Sequence, residues 1–80
     1  MKNWCVYMLR CSDGSLYTGV TTDLKRRFNE HTSGSGSKYV RSRLPAEVAY
    51  VELGHDQSSA LSREYEIKQF SKDDKERLCR

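Results

Sequence analysis

The sequence predicts an α+β fold: a small, largely antiparallel three-stranded sheet flanked by helices. Two strand-like runs, Trp4 to Cys11 and Leu16 to Val20, stand on either side of the turn signal Ser12-Asp13-Gly14-Ser15, so the chain opens with a β-hairpin. A third run, Glu47 to Leu53, alternates as a strand. The segments between and after these runs have helical spacing, which gives the order ββααβαα. Eighty residues make one domain, residues 1–80. A domain of that size buries only roughly 60% of its unfolded surface.

Trp4 to Cys11 (WCVYMLRC) is almost unbroken in its apolar character, as expected of a central strand covered on both faces. The hairpin register then decides where two tyrosines point. A two-residue Asp13-Gly14 turn would pair Arg10 with Tyr17 and put Tyr7 and Tyr17 on opposite faces. We expect a shared face, which requires an odd-length loop or a bulge near Ser12 to Ser15.

Thr22 or Asp23 caps the next helix, which runs to about Thr32. Ser33-Gly34-Ser35-Gly36-Ser37 has the composition of a flexible, mobile loop. Lys38 to Arg43 can form a short helix that ends at Leu44-Pro45, because the residue before proline is pushed out of the α region. In the third strand Ala49, Val51 and Leu53 fall on one face, and Gly54 closes it. Asp56 to Phe70 reads as a long helix with Ala60, Leu61, Ile67 and Phe70 on its apolar side. Ser71 to Asp74 has the pattern of a capping box and opens a last helix to about Leu78.

The totals narrow the function classes. The net charge is +3, but it is unevenly spread: +5 through Arg43 and −2 from Leu44 onward. Lys25 to Arg43 holds six bases (Lys25, Arg26, Arg27, Lys38, Arg41, Arg43) against Glu30 alone. That stretch is either a phosphate footprint or a plain solvated basic face. No apolar run approaches the roughly 20 residues needed to cross a membrane. There is no apolar export segment either, so the expected location is cytoplasmic. Cys5, Cys11 and Cys79 are odd in number and lack metal-site spacing, which argues for reduced thiols rather than disulfides or structural zinc.

Two features suggest chemistry. Leu24, Arg27, Phe28 and His31 are spaced i, i+3, i+4, i+7, so two cation-forming residues share a stripe with two core residues. Such a stripe fits a cleft, with Tyr17 beside it and Gly19 allowing another group close to the backbone. Glu64 sits in the middle of the apolar side of the long helix, where a carboxylate needs a partner or a metal. It is either one half of a pair, with Arg27 as the candidate partner, or a lone ligand for a hard cation.

Taken in order, Val6-Tyr7, Tyr17-Thr18-Gly19, Arg27-x-x-x-His31 and Glu64 before Ile67-Lys68 resemble the GIY-YIG nuclease domain, from about Trp4 to Phe70. Within it, the sequence is most similar to the small single-domain bacterial proteins of the YhbQ type. The resemblance implies Tyr7 and Tyr17 as motif tyrosines, Arg27 as the active-site arginine and Glu64 as the ligand of one Mg²⁺ or Mn²⁺. His31 falls at a position that is His or Tyr in related nucleases, and Lys38 or Tyr39 matches a further site residue. Two positions depart from the pattern: Cys5 stands for the first glycine and Thr18 for the second isoleucine.

The resemblance further implies metal-dependent hydrolysis of DNA phosphodiester bonds, in repair or in processing of structured DNA, with DNA favoured over RNA. Catalytic roles fall to Tyr7, Tyr17, Arg27, His31 and Glu64, and nucleic-acid contacts to Lys25, Arg26, Lys38, Tyr39, Arg41 and Arg43. A separate targeting protein is an expected partner, since no DNA-binding domain is appended. The alternatives are a weakly catalytic or non-catalytic nucleic-acid-binding module, and an interaction domain that keeps only the fold.

Overall fold

The apolar run forms β1 (Trp4–Arg10) at the centre of a sheet ordered β2-β1-β3, with β2 spanning Leu16–Thr21 and β3 spanning Glu47–His55. Both neighbours run antiparallel to it. The computed structural model describes residues 2–80. Side chains of β1 alternate between two cores. Val6 and Met8 pack with Ala60 and Ile67, while Tyr7 and Leu9 pack with Cys11 and Val40. All eight are buried, which is why a strand bounded by polar turns carries almost no polar residue itself.

The hairpin register places Leu9 opposite Tyr17 and Tyr7 opposite Gly19. The loop is odd, as a shared face demands. Cys11 donates its N–H to Ser15 O at 2.9 Å, and Gly14 donates to Cys11 O at 3.0 Å, leaving Ser12, Asp13 and Gly14 as a three-residue turn. Gly14 takes φ +84°, the left-handed conformation that closes such a turn and favours glycine.

Helix α1 (Leu24–Thr32) is capped by Asp23, whose side chain accepts from the Arg26 N–H. The serine-glycine stretch after it is tied down rather than free. Ser33 and Ser35 hydroxyls donate to Glu30 O at 3.1 and 3.2 Å, and Ser37 caps α2 (Lys38–Arg41). Composition alone points to a flexible, mobile loop, because serine and glycine impose little conformational preference; here each serine finds a backbone partner.

β3 departs from simple alternation. Its register against β1 shifts between Met8 and Leu9 and again between Trp4 and Val6. Tyr50 therefore joins the core beside Val6 and Met8, while Leu53 is 77% exposed. The expected inward face of Ala49, Val51 and Leu53 is not formed, and the strand continues through Gly54 to His55. Helix α3 (Gln57–Lys68) starts with a reciprocal capping box between Asp56 and Ser59. It buries Ala60 and Ile67 but leaves Leu61 47% exposed, so its apolar side is narrower than expected. Helix α4 (Lys72–Leu78) is capped by Ser71 and clamped to β1 by a two-pronged Arg10–Glu76 ion pair at 2.6 and 2.7 Å.

Candidate active site

Tyr7 lies at the middle of the central strand, and its ring crosses the neighbouring β2 backbone at Gly19. A Cβ on residue 19 would stand 2.5 Å from the Tyr7 hydroxyl, so only glycine leaves room. The hydroxyl meets His31 Nε2 at 2.9 Å. His31 comes from the last turn of α1 and is completely buried. On its other side the Ser37 N–H donates to Nδ1 at 3.4 Å, and Gly36 packs so closely that a Cβ there would lie 2.5 Å from Nδ1.

These contacts set the proton. A backbone N–H can only donate, so Nδ1 accepts and the neutral imidazole carries its hydrogen on Nε2, aimed at the Tyr7 oxygen. Burial pulls the His31 pKa down, and the nearby Arg27 charge adds to this, which keeps the ring neutral near pH 7. Burial also pushes the Tyr7 pKa up to about 12; Tyr17 adds to the rise, and the Arg27 guanidinium opposes it. Tyr7 and His31 thus form a sealed, uncharged pair.

Tyr17 occupies the next layer out. Its ring meets the edge of His31 at 5.3 Å between centroids and stacks on Tyr39 at 6.0 Å. Arg43 covers the other side of Tyr39, 3.9 Å from the ring centre. Tyr17 is half-buried, and its hydroxyl makes no hydrogen bond among the described residues. Arg27, one turn before His31, pairs with Glu30 at 3.1 Å, and its guanidinium lies near both Tyr7 and Tyr17. Four predicted site residues, Tyr7, Tyr17, Arg27 and His31, therefore converge, with Tyr39 beside them.

Glu64 is placed differently. It stands on α3, whose Ala60 and Ile67 pack on the Val6 and Met8 side of the sheet, the face away from Tyr7. The same helix also lies against β2, the strand that carries Tyr17. The Glu64 carboxylate pairs with Lys68 at 3.3 Å. Arg27 takes Glu30 instead, so the suggested Glu64–Arg27 pair is not formed. Glu30, one turn along the same helix, is simply nearer.

Of the basic residues, Lys25, Arg26, Lys38 and Arg41 are exposed and join no ion pair among the described residues. Arg43 is instead engaged at the surface, by Asp13 at 3.0 Å and by the Tyr39 ring. Sequence reasoning missed Gly36 and the Ser37 N–H. A close approach to a side chain leaves no trace in a serine-glycine run. Thr18 is buried on the face opposite Tyr17, and its hydroxyl has no partner among the described residues. That burial carries a polar cost which the family's isoleucine would avoid.

The sequence matches the GIY-YIG catalytic domain over residues 3–77. The chain belongs to the GIY-YIG family. A UPF0213 protein of Haloquadratum walsbyi is 49% identical over 74 residues, covering 92% of this chain and 83% of the relative. A UPF0213 protein of Staphylococcus saprophyticus is 45% identical over 78 residues, with 98% and 95% covered. The solution NMR structure of the UPF0213 protein from Bacillus halodurans superposes with a TM-score of 0.60 at 44% identity, covering 94% of this chain and 80% of that one. These likenesses extend to the α+β architecture.

A GIY-YIG domain is generally metal-dependent. Among the described residues no three His, Cys, Asp or Glu side chains converge as a metal cluster. Glu64, with a side chain 20% exposed, offers one hard oxygen ligand. That suits a Mg²⁺ or Mn²⁺ ion whose other ligands are waters and a substrate phosphate. It does not suit zinc, which needs three or four protein ligands. No helix of the described chain is long and apolar enough to cross a membrane.

Proposed function

We propose that this chain is a metal-dependent endonuclease hydrolysing DNA phosphodiester bonds, with structured or damaged DNA as its substrate class. The observation that carries the reading is the nesting of the two tyrosines. Tyr7 is sealed against neutral His31, while Tyr17 presents an unbonded hydroxyl at the rim beside the permanently charged Arg27.

Each residue then has a role. Arg27 binds the scissile phosphate and offsets charge as the phosphorus becomes five-coordinate. Tyr17 first gives its own phenolic proton to solvent; the resulting phenolate oxygen orients a water and takes its proton as the new P–O bond forms, while the old P–O bond breaks and its electrons leave with the departing oxygen. Tyr7 and His31 hold the Tyr17 ring in place, and the Ser37 N–H holds His31. Glu64 would hold the Mg²⁺ or Mn²⁺, which when bound neutralises charge on the leaving oxygen. The exposed cations Lys25, Arg26, Lys38 and Arg41 supply contacts to the flanking backbone, which carry affinity without sequence choice. A separate targeting protein fits so small a surface.

The placement of Glu64 on a helix packed against the other sheet face, with Lys68 as its partner, favours the second reading: a nucleic-acid-binding module with weak catalysis or none. Labelled branched, nicked and linear DNA, incubated with Mg²⁺ or Mn²⁺, separates the two. Metal-dependent cleavage of one structure supports the nuclease; salt-dependent binding without cleavage in any arm supports the module.

A further inference from the structure

At the hairpin end of the sheet, a cleft of about 200 Å³ lies along the edge strand β2. Ser15, Leu16, Tyr39, Lys72 and Lys75 line it. Tyr39 is the ring stacked on Tyr17, so the cleft begins where the candidate active site ends. The two lysines come from α4, three residues apart, and so lie on one side of that helix with Cβ atoms about 5–6 Å from each other. Neither joins an ion pair among the described residues. Of the acids on this helix, Glu76 is clamped by Arg10 and Asp74 is held by Arg77, while Asp73 is exposed and joins no ion pair among the described residues. The same Arg10–Glu76 clamp fixes α4 to the central strand, so both lysines stand on a braced helix.

We infer that this cleft takes the backbone of the nucleic-acid strand as it leaves the active site, with Lys72 and Lys75 on successive phosphates and the edge of Tyr39 as one wall of the path. The inference rests on the nuclease or binding reading above and extends its footprint onto an element that a charge count by halves had marked as acidic. A lysine is a point charge on a flexible stem and follows a phosphate chain without selecting a base. The two lysines describe a sequence-independent exit path.

The experiment is equilibrium binding of one labelled branched DNA across a KCl series, with the full chain. Each phosphate contact contributes a slope of about −0.7 for single strands and −0.9 for duplex. Lys72→Ala with Lys75→Ala should make log K against log salt shallower by about 1.4 to 1.8, and weaken binding at low salt. Arginine at both positions should restore the slope. Lys2→Ala, beside Asp56 at the start of α3, should leave it unchanged. Wild-type binding whose slope does not change in the double alanine variant overturns the exit path alone. An equal loss per charge in Lys2→Ala also overturns it, as a general charge effect. A wild type that binds no nucleic acid overturns the exit path together with the reading beneath it.

Discussion

Glu64 is the residue on which the two functional readings differ most. Its partner, Lys68, is an exposed i,i+4 neighbour on the same helix, an interaction worth about 0.3–0.5 kcal/mol. Glu64→Gln should therefore change stability by less than about 1 kcal/mol, since no buried guanidinium is stranded. If Glu64 holds the cation, Mg²⁺ or Mn²⁺ should raise the wild-type melting temperature and leave that of the variant unmoved. Paired thermal melts with and without metal check this; equal shifts in both proteins would remove Glu64 as the ligand. The sequence identified Glu64 as anomalous because a carboxylate fell on an apolar stripe. It could not show that Leu61 is half exposed, which makes the stripe narrower than its spacing suggests.

The hairpin is the element that brings the tyrosines together. Its geometry depends on a three-residue turn and on Gly19, under which the Tyr7 ring passes. Gly19 does not have a positive φ, so its role is spatial rather than conformational. Gly19→Ala should cost about 1–3 kcal/mol by overpacking against a buried ring and should displace the Tyr7 hydroxyl from His31. Urea denaturation measures the loss, and the pH shoulder described below should weaken with it. Much of this was legible beforehand. The apolar run, the turn residues and the odd-loop requirement follow from period-two alternation and from the need for a shared face. The clasp over His31 was not legible, because Gly36 and Ser37 act through close packing and a backbone N–H, neither of which has a compositional mark. The slips in β3 were not legible either, since a bulge changes which residues face inward without changing the residues.

For the molecule as a whole, the sealed pair predicts a particular pH profile of stability. Burial lowers the His31 pKa below its ordinary 6.5, so below pH 6.5 the unfolded chain binds the proton more readily. Stability is then complete above about pH 6.5 and falls as pH drops towards 5. Glu52 and Glu76 have lowered values and add their loss only below about 4.5. At the alkaline end the direction reverses. Tyr7, raised to about 12, and the buried thiols of Cys5 and Cys11, also raised, keep their protons longer when folded. Stability should decline from about pH 9 and lose roughly 3 kcal/mol to Tyr7 between pH 10 and 12. Melting temperatures from pH 5 to 8 test the acid side: His31→Gln should flatten the shoulder between 6.5 and 5, and a shoulder of unchanged size would show that His31 does not cause it.

The central claim is that Tyr17 and Arg27 face the scissile phosphate while Tyr7 and His31 support them from behind. Single-turnover cleavage of the preferred DNA, measured beside its dissociation constant, tests this most directly. Tyr17→Phe keeps the ring and its stacking but removes the oxygen, and Arg27→Ala removes the charge. Each should lower the rate at saturating protein by at least about 100-fold, the usual scale for losing a proton-transfer group or a charge-stabilising donor, while the dissociation constant changes by less than about threefold. Cleavage at the wild-type rate by Tyr17→Phe, or loss of affinity equal to loss of rate in Arg27→Ala, would contradict the assignment.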